Sequence, residues 1–228
     1  MGRGKKGRYK AAVKAGEGAA KGVYKKLGVD RMLPKPRGGP RGHGPLSVRH
    51  GKSDNPRFKN LVERNKELRS RLPNSKKESN VATSDFHVYD KNGRSHTGTI
   101  DAVSGKKNYA DRGFTDVDRS GPDIFPNRNA GRHSREYDSE KKIYEDFARK
   151  FPDTNTRGRI TLYTERHPCP ACARSTQDFL QRYPNMKVDI AYTYREGAGP
   201  LTEGRQNNFV SDPANSRINV SHHKRART

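Results

Sequence analysis

The chain has no tryptophan, two cysteines in 228 residues and only 29% hydrophobic residues. Mean hydropathy is −1.19. So little apolar material cannot pack the whole chain into one core, so a solvated appendage is expected beside a domain of ordinary size. The two cysteines stand three apart, at Cys169 and Cys172, which argues against a disulfide framework. No apolar run approaches the roughly 20 residues of a membrane span, so no membrane partner is expected. The opening Met1-Gly-Arg-Gly-Lys-Lys lacks the apolar stretch of a secretory signal, and export by that route is not expected. Acids are also scarce. Forty-eight basic residues face 25 acids, giving +23 and a pI near 10.2.

The excess of positive charge is uneven. Residues 1–60 carry 17 basic and 3 acidic residues. Such an arm attracts polyanions, so nucleic acid is the first partner to consider; a role in solubility or linkage alone is the plainer reading. Pro34, Pro36, Pro40, Pro45 and Pro56 fall among glycines and mark a linker. The expected organisation is a basic, disordered Gly/Pro/Lys-rich arm and linker over residues 1–56. A domain over 57–228 follows, with its core at 57–195 and a loose basic tail.

Helical spacing begins at Phe58, with Leu61, Val62, Leu68 and Leu72 on one face. Residues 86–89 and 99–103 read as strands, joined through Asn92-Gly93, a pair suited to a tight hairpin turn. Residues 104–137 read as a long loop, a length often tied to function. Ile143, Tyr144, Phe147, Ala148 and Phe151 then form the stripe of a second helix starting near Asp138. A strand over 160–164, a third helix from Pro170 to Tyr183 and a strand over 187–194 complete the series. The order α-β-β-α-β-α-β predicts an α/β sandwich with a mixed sheet, because strand–helix–strand units usually cross over in parallel.

Cys169 and Cys172 open the third helix behind a strand. Pro170 suits the first helical position, and a helix N-terminus favours the thiolates that zinc requires. Two buried cysteines, a thioredoxin-like redox pair or half of a structural zinc site are the competing readings. Glu140 and Asp138 have plain roles of their own, as a first-turn acid and a helix N-cap. Their placement one helix ahead of the cysteine-bearing turn makes Glu140 a candidate for moving protons beside a metal.

Four segments carry a family resemblance: Tyr137-Asp-Ser-Glu-Lys-Lys-Ile-Tyr-Glu145, Gly158-Arg-Ile-Thr-Leu-Tyr-Thr-Glu165, Pro168-Cys-Pro-Ala-Cys172 and Phe179-Leu-Gln-Arg-Tyr-Pro-Asn-Met-Lys-Val188. In this order they resemble the cytidine deaminase superfamily, and within it the deaminase domains at the C-termini of bacterial polymorphic toxins. The likeness spans roughly residues 57–195 and is strongest over 137–190. It implies Zn²⁺ held by Cys169 and Cys172, with Asp138 in the third ligand position and Glu140 as the acid/base. Most of the superfamily has His where this chain has Asp138. His133 and His167 are therefore alternative ligands, although His133 lies too far upstream of a glutamate for the usual H-x-E spacing.

The activity implied is hydrolytic deamination of cytosine in DNA or RNA by the toxic end of an interbacterial effector. It further implies delivery into a target cell by a specialised system, a cognate immunity protein and a monomeric chain. A nucleic-acid-binding protein with a non-catalytic zinc site is the alternative, and Glu140 is the residue that separates the two.

Overall fold

The computed structural model describes residues 49–50, 56–116, 121–130, 133–193 and 208–223. The expected N-terminal arm through residue 48 and the Arg-rich end beyond residue 223 lie outside the described residues, as does the region of Arg195. The described part belongs to one compact unit, Gly42–Thr228.

Its centre is a six-stranded mixed sheet in the order β1-β8-β7-β6-β2-β3. The strands are β1 (Arg49–His50), β2 (Val81–Tyr89), β3 (Ser95–Val103), β6 (Arg157–Thr164), β7 (Met186–Thr193) and β8 (Ile218–His223). A separate two-stranded ribbon pairs β4 (Asn129–Ala130) with β5 (His133–Ser134). Among the described residues three helices cover the sheet: α1 (Pro56–Ser70), α2 (Ser139–Lys150) and α3 (Pro170–Arg182). The expected mixed α/β sandwich is the architecture observed.

Alternation along the strands separates two faces. Ile160 and Leu162 of β6 and Val188 and Ile190 of β7 join Ile143, Phe147, Phe179 and Leu180 of α2 and α3 in the main core. Tyr163 and Ala191, one residue out of phase, pack instead against Phe58 and Leu61 of α1. The result is three layers. On the α1 face the Arg64 guanidinium spans two strands, reaching Asp85 at 2.8 Å and Asp101 at 2.9 Å.

The hairpin is longer than its apolar residues suggest. β2 and β3 pair from Val81 opposite Val103 to Tyr89 opposite Ser95. Polar residues hide this in the sequence: Ser84 donates its hydroxyl to the Ile100 carbonyl at 2.5 Å, and Asp85 belongs to Arg64. At the turn Gly93 takes φ +79°, and Asp90 accepts from the backbone N–H groups of Asn92 and Arg94.

The expected loose tail needs correction. Residues 218–223 form β8, which runs parallel to β7 from Val188 opposite Ile218. A short 3₁₀ turn, Pro213–Arg217, leads into it, capped by Asp212 accepting from Ala214 N–H at 2.8 Å. Only Ile218 and Val220 advertise this strand, so its identity comes from the sheet edge that it covers. Similarly, β1 lies in the stretch expected to be linker and pairs with β8.

The described parts of the long loop are anchored rather than free-standing. Buried Glu145 of α2 accepts from the N–H groups of Ile124 and Phe125, and buried Lys141 pairs with Asp123 at 2.7 Å. Lys142 donates to the carbonyls of Val103 and Gly105. Arg128 forks onto Asp178 of α3. These bonds fix the approach of the chain to Asp138.

Candidate active site

The site lies where α2 and α3 both begin, beyond the carboxyl end of β6. Two of its residues are helix N-caps: Asp138 for α2 and Cys169 for α3. Cys169 behaves as a cap, its sulfur accepting from the Cys172 N–H at 3.3 Å. Asp138 does not, since its side chain makes no capping bond. Its Oδ2 instead faces the sulfurs of Cys172 at 3.2 Å and Cys169 at 3.5 Å. The plain capping role foreseen for this aspartate is therefore not the one its carboxylate performs.

The two sulfurs are 3.2 Å apart. Ligand atoms of Asp138, Cys169 and Cys172 all lie within 4.8 Å of one another. Tetrahedral ligands at about 2.0–2.3 Å from a zinc ion stand about 3.3–3.8 Å apart, so the triangle is of the right size. Two thiols and a carboxylate are also donors that zinc accepts. The residues fit the metal. Both helix N-termini add positive partial charge beside the three acidic groups.

Electrostatics divides the two cysteines. The Cys172 thiol against its sulfur holds Cys169 below the ordinary thiol value, despite burial. Contact with Cys169, and then burial, hold Cys172 well above it. Of the two, Cys169 gives up its proton the more readily.

Glu140 sits in the first turn of α2 and is 3% exposed. Thr164, the last residue of β6, donates to its Oε1 at 2.9 Å, and Ser139 donates to Oε2 at 3.0 Å. Asn80 reaches Oε1 at 3.3 Å while also donating to Thr164 and Ser139. Oε2 is 3.5 Å from the Cys172 sulfur. Burial, and then the charge of Asp138, raise the Glu140 pKa above the usual carboxylate range. A carboxyl so placed can take a proton from one neighbour and give it to another.

A cavity of about 180 Å³ opens onto these groups, with Asn80, Ser104, Arg135 and Arg166 among its walls. The structure brings all four expected residues, Asp138, Glu140, Cys169 and Cys172, to this one place. Of the alternative ligands, His133 begins β5, but its side chain is outside the described residues. His167 lines the cavity with Nδ1 3.2 Å from the Asn208 amide and its ring edge-on to Tyr192. It is not in the metal-sized triangle.

Asn80 and Thr164 escaped the sequence reading. Thr164 carries a faint signal, as the polar end of an apolar strand. Asn80 carries none, because only the hairpin register brings it there.

A mixed sheet flanked by helices, with a carboxylate and two thiols around one point and a buried acid beside them, defines a deaminase-type enzyme. Residues 65–194 match the Toxin-deaminase family, described as the BURPS668_1122 family of deaminases. That is more than half of the chain, and the protein belongs to this family as a polymorphic-toxin deaminase domain. Its chemistry is hydrolytic deamination. No curated protein matches the chain.

Proposed function

We propose that the domain is a zinc-dependent deaminase of cytosine in DNA or RNA, acting as the toxic part of an effector delivered into a target cell by a specialised system. The observation that carries this reading is the proximity of the Glu140 carboxyl to the Asp138–Cys169–Cys172 triangle. The overall charge of +23 favours a polyanionic substrate over a small neutral nucleoside.

Cys169, Cys172 and Asp138 would hold the zinc. When bound, zinc supplies Lewis-acid activation of a water, lowering its pKa towards about 7 in good sites. Three anionic ligands, where neutral His is usual for the third, temper that acidity, and the two helix N-termini offset part of the added charge. Glu140 takes a proton from the attacking water. It passes that proton to the ring nitrogen next to the attacked carbon. It then takes the proton left on the added hydroxyl and gives it to the amino group, which departs as ammonia as the carbonyl forms. Thr164, Ser139 and Asn80 orient its two oxygens throughout. The domain acts as a monomer, and the producing cell protects itself with an immunity protein.

The test is deep sequencing of DNA and RNA from cells expressing the chain, scoring C-to-T and A-to-G changes against a Glu140→Ala control. C-to-T changes confined to the parent support the reading. Growth arrest by both proteins with no edited bases would leave a nucleic-acid-binding protein with a non-catalytic zinc site. A-to-G changes would make adenine the substrate.

A further inference from the structure

The cavity above Glu140 is small. Its volume, about 180 Å³, is below the roughly 300–1,000 Å³ of sites that enclose drug-sized ligands. One flat ring fits, so the sugar and phosphates of a nucleotide must remain at the mouth. What surrounds the mouth therefore selects the rest of the substrate.

Topology fixes which segments those are. β2 lies between β3 and β6 and is antiparallel to both, with Val81 opposite Val103 and Ala82 opposite Thr164. The chain leaving β3 and the chain leaving β6 thus emerge on either side of Asn80. The first carries Lys106 and Lys107, and the second carries Arg166. Gly105 N–H donates to the Tyr137 carbonyl, drawing the segment with Arg135 to the Lys106 side. Lys106 Nζ stands 5.4 Å from the centre of the Tyr137 ring.

These cations are poorly neutralised. Lys106 and Lys107 are exposed and form no salt bridge among the described residues. Arg166 donates to the Glu78 backbone carbonyl, and among the described residues its one ion-pair partner is the Glu78 carboxylate, at 3.5 Å, on a side chain that is 81% exposed. Arg135 is 3.8 Å from Asp138, and its buried Nε has no hydrogen-bond partner among the described residues. The acids Asp138 and Glu140 lie on the floor. The rim is basic.

We propose that this rim binds the phosphates flanking the target base of a single strand, with Arg166 on one side and Lys106, Lys107 and Arg135 on the other. The proposal rests on the deaminase reading above and narrows it from DNA or RNA at large to a single strand whose phosphates on either side of the cytosine are held by these four residues. A base must leave its stack to reach Glu140, and that costs least in single-stranded nucleic acid. An acidic protein would also meet these charges, but it offers no amino-substituted base to the carboxyl and thiols on the cavity floor.

The test uses the full chain and short single-stranded DNA and RNA oligonucleotides with one cytosine. Each is made with ordinary phosphodiesters or with neutral methylphosphonates at the two linkages flanking that cytosine. Fluorescence anisotropy should show the parent binding the charged form at least about tenfold more tightly. Each phosphate contact should add roughly 0.7 to the slope of log K against log salt. The double variant Lys106→Glu, Lys107→Glu should erase most of that preference, and Arg166→Gln should erase part. Equal binding of both forms by the parent, or an undiminished preference in the double variant, would overturn the proposal. So would a defect confined to binding an acidic inhibitory protein. Deamination of the charged oligonucleotides is scored separately. Phosphate discrimination without any uracil product would sink the deaminase reading and leave the phosphate surface standing.

Discussion

Thr164 Oγ1 donates to Glu140 Oε1 at 2.9 Å, so the sheet, as well as the helix that carries it, orients the carboxyl at the centre of the site. Thr164 is fully buried and receives a second bond from Asn80 at 2.7 Å. Thr164→Val keeps the shape and removes both bonds. A neutral hydrogen bond is worth about 0.5–1.5 kcal/mol, so kcat should fall about two- to tenfold. Zinc content should not change. Loss of the metal along with activity would mean that Thr164 supports the fold rather than the acid.

Glu140→Gln should abolish deamination, a loss on the order of 10²–10⁴ for a proton-transfer group, and should also stabilise the metal-free chain. Burial and Asp138 raise the folded-state pKa of Glu140, so the unfolded chain loses this proton at lower pH. Between the ordinary glutamate value and the raised one, stability falls as pH rises, and above that window a constant penalty remains. Gln carries no such penalty. At neutral pH the chelator-treated variant should melt higher, by roughly 2–4 °C for each kcal/mol relieved. The gap should close below the ordinary glutamate range. An unchanged melting curve would show that the carboxylate is already compensated.

Zinc affinity should fall as pH is lowered. Cys172 keeps its proton well above the ordinary thiol value because of Cys169 and burial, and metal binding must displace that proton. Competition with a chelator over a pH series should show about a tenfold loss per pH unit for each proton released. Asp138→Ala should weaken retention, Cys169→Ala or Cys172→Ala should remove the metal, and His133→Ala should leave it in place. The reverse result for Asp138 and His133 would move the third ligand to the histidine.

Gly158 should not tolerate a side chain. It takes φ +144°, and an added Cβ would strike the His87 carbonyl oxygen and lie 2.7 Å from Val88 Cα on the paired strand. Gly158→Ala should cost about 1–3 kcal/mol from the backbone conformation alone, with the clash added. The denaturant midpoint should drop while its slope stays constant. A midpoint equal to the parent's would mean that β6 shifts freely at this end.

Much of the framework was legible because it depends on short-range patterns. The stripe from Ile143 to Phe147 and the start of α3 at Pro170 follow from helical period and from proline's fit at the first turn. The early half of β2 was hidden by Ser84 and Asp85, whose polar groups are satisfied only by β3 and α1. β8 was hidden because two apolar residues make no period by themselves.

The sequence alone determined the chemical inventory and its order: one acid-bearing helix start, one strand, one cysteine-bearing helix start and a charge suited to a polyanion. These are local features, written in residue type and spacing. Only the tertiary structure decided what each group does there. Pairing of β2 with β3 and β6 brings Asn80 and Thr164 to Glu140 across 60 and 24 residues of chain. Docking of two helix starts turns Asp138 away from capping and towards two sulfurs 31 and 34 residues distant. Such contacts cannot be read from spacing, because they exist only once burial in the main core has fixed the helices and strands against one another.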